Sequence, residues 1–182
     1  ESVGGSKRAD TKYHPIPSVD PIACTEQLGV SGEWHQRIPH FKLDFTPSVG
    51  EEIQSEFFVD RSYAAAAIEA MSLLGEEINP LLWITELRTC AADQLWLSGA
   101  FERDCLAIHF TWKKVDEIYP VIEKVEAALR PFNYRPHWGK VFTADAKYLK
   151  GVYPKISEFK ALIEALDPTS KFGNAFTRHI FA

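Results

Sequence analysis

Two stretches of the chain place polar residues two apart among apolar ones. In Leu81-Leu82-Trp83-Ile84-Thr85-Glu86-Leu87-Arg88-Thr89, Glu86 and Arg88 lie two residues apart within an apolar run. In Leu106-Ala107-Ile108-His109-Phe110-Thr111-Trp112, large apolar side chains alternate with Ala107, His109 and Thr111. A period of two is that of a β-strand with one face on a core. The alternating run Phe41–Phe45, followed by a loop holding Pro47 and Gly50 and then Ile53–Val59, predicts a β-hairpin. Between these runs the period changes to that of a helix. Asp60 is placed to cap a helix over Tyr63–Leu74 that Gly75 stops, and Asp116 to cap one carrying Ile118, Val121, Ile122, Val125 and Leu129 that Pro131 ends. An extended piece over Lys140–Phe142, a helical stretch near Ala146–Tyr153, and a last helix from Ser157 closed by Asp167-Pro168 complete the reading.

This order predicts an α+β fold: an antiparallel sheet with helices packed on one face, the other face forming a pocket. Tyr13–Pro39, broken by four prolines and two glycines, reads as one long irregular segment, and such segments in compact proteins often cover something or carry function. Residues 1–12 read as a flexible linker or cut end, and residues 13–182 as one domain.

Strand parity then has a chemical consequence. Glu86 with Arg88, and His109 with Thr111, point away from the apolar sides of their strands, and Pro136-His137-Trp138-Gly139-Lys140 adds further polar groups among aromatic ones. Each group alone has a plain explanation: an ion pair on a solvated sheet face, a satisfied sheet histidine, a strand threonine, an exposed lysine. Together, over three separated segments rich in Trp and Phe, they predict one lined pocket. Beside a carboxylate, an arginine fork holds a hydroxyl at fixed geometry, and the carboxylate accepts from a neighbouring hydroxyl.

Composition narrows the alternatives. A net charge of −5 without a dense Lys/Arg run argues against nucleic acid and anionic membrane as partners, and no apolar stretch approaches a membrane span, so a cytoplasmic protein is expected. Cys24, Cys90 and Cys105 are odd in number and far apart, which fits thiols rather than a disulfide framework, and none has a setting that would make it a nucleophile. His14, Cys24, His35 and His40 share one region but lack metal-ligand spacing, so no metal is expected. Neither phosphate-cradling glycine motif occurs.

Several motifs, in order, carry a resemblance. His14-Pro15-Ile16-Pro17, Cys24–Val30, Gln54-Ser55-Glu56-Phe57-Phe58-Val59, Thr85–Thr89, His109-Phe110-Thr111-Trp112, His137-Trp138-Gly139-Lys140 and Asp167–Phe176 resemble the C-terminal part of alditol (xylitol) oxidases. These belong to the aldonolactone-oxidase branch of the vanillyl-alcohol-oxidase flavoproteins. The resemblance implies a substrate (cap) domain whose partner, an N-terminal FAD-binding domain, lies outside this sequence. It implies FAD as cofactor, a small polyol such as xylitol or sorbitol as substrate, and O2 reduced to hydrogen peroxide. It also implies Glu86, Arg88 and Thr111 as polyol contacts, His137 beside the flavin, and Lys140 near both the flavin and the reacting carbon. Arg88 and Lys140 would be the catalytic cations. Arginine is a poor base, with a pKa of roughly 12.5–13.8, so stabilising developing charge is its expected role. A D-arabinono-1,4-lactone oxidase cap and a non-catalytic carbohydrate- or partner-binding module are the alternatives. The chain alone is expected to be inactive.

Overall fold

The computed structural model describes residues 7–14, 16, 19–37, 42 and 50–181. They fall into two compact units, Glu1–Glu52 and Ile53–Ala182. The described part of the first is irregular, as its prolines predict. Two 3-10 turns, Pro21–Ala23 and Trp34–Gln36, are its helical pieces, the first capped by the Asp20 carboxylate on Ile22 N–H. Gln27 ties the segment together by bonding both the N–H and the C=O of Tyr13. The strand predicted over Phe41–Phe45 lies, Lys42 apart, outside the described residues.

The second unit is built on a four-stranded sheet in the order β2-β3-β1-β4, with β1 Glu52–Asp60, β2 Leu82–Cys90, β3 Cys105–Lys113 and β4 Arg135–Pro136. β2 and β3 pair antiparallel, as do β1 and β4. Six helices accompany it among the described residues: α1 Ala64–Leu73, α2 Gly75–Ile78, α3 Ile118–Leu129, α4 Ala146–Val152, α5 Ile156–Leu166 and α6 Ala175–Ile180. The fold is α+β.

Alternation in the strands selects the core. Phe57 and Val59 of β1 with Leu106, Ile108, Phe110 and Trp112 of β3 form one apolar cluster with Ala67 and Met71 of α1 and Ile118, Ile122, Val125 and Leu129 of α3. Every fully buried side chain of this kind contributes about 1.5–3 kcal/mol, so this face decides which way each strand is turned. The cost of burying the Trp112 indole N–H is met by Ser55 Oγ at 2.8 Å. β3 is central and buried along nearly its whole length, whereas β2 is an edge strand, and its Leu87 stays 51% exposed.

Several boundaries differ from expectation. Asp60 does cap, but it caps a 3-10 turn, Arg61–Tyr63, that leads into α1. Gly75 does not end the helical region: Leu74 closes α1 through its N–H to Met71 and Ser72, and Gly75 begins α2. The Asp116 side chain caps nothing; α3 starts after Glu117, with the backbone C=O of Asp116 accepting from Tyr119 N–H at 3.2 Å. The extended piece falls at Arg135–Pro136, not at Lys140–Phe142. His137 N–H and Val141 N–H nevertheless still bond the C=O groups of Glu56 and Gln54, at 2.9 Å each. Asp167 does close α5, its N–H bonding the Ile163 C=O at 2.8 Å, but α5 is not the last helix: the Asp167 carboxylate accepts from Lys171 and Phe172 N–H, and α6 follows, opened by an Asn174–Thr177 capping box.

Candidate functional site

Register turns the parity argument into geometry. Glu86 faces His109 across the β2–β3 ladder, Arg88 faces Ala107, and Ile84 faces Thr111, so the four polar side chains occupy one face of the sheet. β1 adds a residue that the sequence reading passed over as a site: Glu56, between Ser55 and Phe57 and therefore on the face opposite the core. The segment after β4 runs beside β1 and brings Lys140 over it.

Glu56 is the centre of the array. Its carboxylate is 6% exposed and takes three contacts: Arg88 Nη1 at 3.4 Å on one oxygen, and His109 Nδ1 at 3.3 Å and the Lys140 ammonium on the other. Arg88 uses its other terminal nitrogen on Glu86. Lys140 Nζ also lies 2.8 Å from His109 Nδ1, and His109 Nε2 lies 3.0 Å from Thr111 Oγ1. An ammonium has only donors and a carboxylate only acceptors, so Nδ1 can accept from Lys140 or donate to Glu56 but not both, while Nε2 and the Thr111 hydroxyl share one hydrogen bond.

The electrostatics follow from these contacts. Burial alone would push the Glu56 carboxyl up; the His109 ring and the Lys140 ammonium against it overturn that and hold it down at about 2. The half-buried His137 imidazole is shifted down, first by burial and then by the Lys140 charge, with Glu56 opposing. His137 stacks on Phe58 with ring centroids 6.2 Å apart and accepts the Gly139 N–H on Nδ1 at 3.1 Å. Gly139 thus serves the His137 turn.

The array has a closed end and an open end. His109 and Thr111 are 4% and 5% exposed, so Thr111 presents its hydroxyl to the imidazole and not to solvent. Arg88 and Glu86 keep 46% and 33% of their side chains exposed, and Lys140 17%. These last three can reach a ligand. A fixed anion carrying two cations, both with unused N–H donors, can polarise a hydroxyl and stabilise an oxygen on which negative charge develops.

Elsewhere, a cavity of about 550 Å³ opens between α5, the turn after it and α6, lined by Phe159, Leu162, Ile163, Phe172 and Phe181 among others; it shares no residue with the array. The three cysteines are free thiols, each shifted up by burial. Among the described residues no group of three or more His, Cys, Asp or Glu is placed to hold a metal, and no helix is long and apolar enough to cross a membrane.

Two carboxylates and two cations thus share one polar face of the α+β sheet. Comparison with known proteins is more specific. The family model for D-arabinono-1,4-lactone oxidase matches residues 49–180, nearly the whole of the second unit, and the chain belongs to that family. It is 43% identical over 176 residues to alditol oxidase of Streptomyces sp., covering 96% of this chain and 42% of that protein. L-gulono-1,4-lactone dehydrogenase of Mycobacterium tuberculosis is 28% identical over 131 residues (70% of this chain, 30% of that protein), and L-gulonolactone oxidase of Bos taurus 29% over 123 residues (64% and 28%). The chain therefore spans less than half the length of these relatives.

Proposed function

We propose that this chain is the substrate-side, C-terminal part of an FAD-dependent oxidase that converts the primary alcohol of an alditol such as xylitol or sorbitol to the aldose, with O2 reduced to hydrogen peroxide. The observation that carries the reading is the Glu56-centred array, with Arg88 and Lys140 fixed on one buried carboxylate, in a chain 43% identical to an alditol oxidase. The reaction balances as RCH2OH + O2 → RCHO + H2O2.

Oxidising an alcohol places negative charge on its oxygen as the hydroxyl proton leaves. Arg88, half exposed and already oriented by two carboxylates, donates to that oxygen, and its planar fork can hold two neighbouring oxygens at once. Glu86 accepts from an adjacent hydroxyl, which favours an open polyol over an apolar alcohol. Lys140 supplies the second cation from the other side of Glu56. The donor set suits the electron-rich edge of a flavin: Lys140 and the half-buried His137 would lie against it, while no motif in the chain cradles a pyrophosphate. Bound flavin supplies the two-electron acceptor. The residues here bind, orient and stabilise charge.

A second reading, a cap that takes a sugar lactone, is favoured by the family model and by the gulonolactone relatives. Peroxide release by the flavin-loaded full-length protein decides between them: xylitol turnover well above that of a 1,4-lactone supports the alditol reading, and the reverse replaces it. The isolated chain mixed with FAD and xylitol should keep no yellow colour after desalting and form no peroxide, because the array alone provides neither an electron acceptor nor a water-excluded site. Stoichiometric flavin retention would reveal a cofactor site in this chain.

A further inference from the structure

We infer that Glu56 is a positioning residue: its buried carboxylate holds Lys140, Arg88 and the His109 ring in one arrangement, so that two cations can stand side by side before any ligand arrives. This rests on the alditol-oxidase reading and adds to it a residue behind those expected to touch substrate.

Arg88 and Lys140 come from segments 52 residues apart in sequence, on β2 and beyond β4, and converge because each bonds a different oxygen of one carboxylate. Two like charges so placed repel each other unless an anion lies between them, and Glu86, bonded to Arg88 alone, does not reach Lys140. Glu56 is 6% exposed, with both oxygens engaged, so it acts through its neighbours and not on a ligand. His109 is tied into the same unit: its Nδ1 lies 3.3 Å from a Glu56 oxygen and 2.8 Å from Lys140 Nζ, and its Nε2 3.0 Å from Thr111 Oγ1.

The test uses the flavin-loaded full-length protein with Glu56→Gln, Glu56→Asp and Lys140→Met, and reads both turnover and the pH titration of the His137 ring by NMR. Glu56→Gln should lower kcat for the polyol by about tenfold or more with a smaller change in KM, and Glu56→Asp should recover part of the loss. In the Lys140→Met background, Glu56→Gln should cost less than about threefold, since residues acting as one unit are not additive. His137 should titrate lower in Glu56→Gln, where the opposing anion is lost, and higher in Lys140→Met. If Glu56→Gln does not fold, Glu56→Asp carries both readouts. Full additivity with Lys140→Met, or an unmoved His137 titration in a folded Glu56 variant, would overturn the inference. A wild-type protein inert toward polyols whose His137 still responds to Glu56→Gln would overturn the alditol reading and leave the role of Glu56 standing.

Discussion

Among the described residues two carboxylates are buried, and their surroundings send them in opposite directions. Glu56, on the polar face of the sheet, is held down at about 2 by His109 and Lys140 despite burial. Glu126, on α3, is pushed up by burial, and the Thr143 N–H and hydroxyl that donate to it at 2.7 and 2.5 Å offset this only in part. Desolvation acts on both with the same sign; the cations differ. A buried acid bonded only to neutral donors joins two segments, here α3 and the loop before α4. A buried acid bonded to cations organises a charged site, and holds those cations where a ligand can use them.

The largest expected effect tests the charged member of the pair. Glu56→Gln leaves Lys140 and Arg88 without their common anion and should cost about 3–5 kcal/mol of stability, toward the lower value because Lys140 retains some water. The pH dependence has a definite sign. A carboxyl whose folded pKa lies below its unfolded one stabilises the fold above the unfolded value, and this is lost as pH falls from there through about 2. Denaturant unfolding of wild type and variant should therefore converge in strong acid, and a constant difference down to that range would remove the ion-pair account of Glu56. Next in size is Arg88→Ala, which in the full-length protein should lower polyol turnover by about 2.7–4 kcal/mol in activation free energy if the guanidinium acts as a charge-stabilising donor. Arg88→Lys should recover only a fraction, because an ammonium lacks the fork. Near-normal kcat for Arg88→Ala would reduce the residue to the ion pair with Glu86.

Strand parity made half of this site legible. Glu86, Arg88, His109 and Thr111 share a face because β2 and β3 pair without a break from Ile84–Thr111 to Cys90–Cys105, past the register shift at Leu82–Ile84, and a period of two then leaves no freedom. Lys140 was legible from resemblance more than from pattern, since its segment is no strand and is positioned by single backbone bonds to β1. Glu56 had a visible signal, an acid at a non-core position of a predicted strand. Its central place depends, however, on contacts 53 and 84 residues away, which no local rule ranks. The misplaced helix ends have a local cause: Gly75 and Asp116 are residue types that can cap, but backbone groups of neighbouring residues satisfied the ends first.

The smallest expected effect lies at Glu126, the acid bonded to neutral donors. Glu126→Gln keeps the shape of the side chain and removes its charge: the amide oxygen can still accept the Thr143 N–H, and the amide nitrogen can donate to the Thr143 hydroxyl, which accepts as well as donates. The folded pKa of Glu126 lies above its unfolded value, so at neutral pH the fold bears the cost of a buried charge, and that cost is relieved as pH falls through the folded pKa toward the unfolded one. The variant should thus unfold within about 1 kcal/mol of wild type, faring best relative to it at neutral pH and losing ground near pH about 4, where the wild-type carboxyl is largely protonated. Unfolding curves at the two pH values measure this directly. A loss at neutral pH as large as that of Glu56→Gln would mean that Glu126 also serves as a working anion, and the contrast between the two acids would fail.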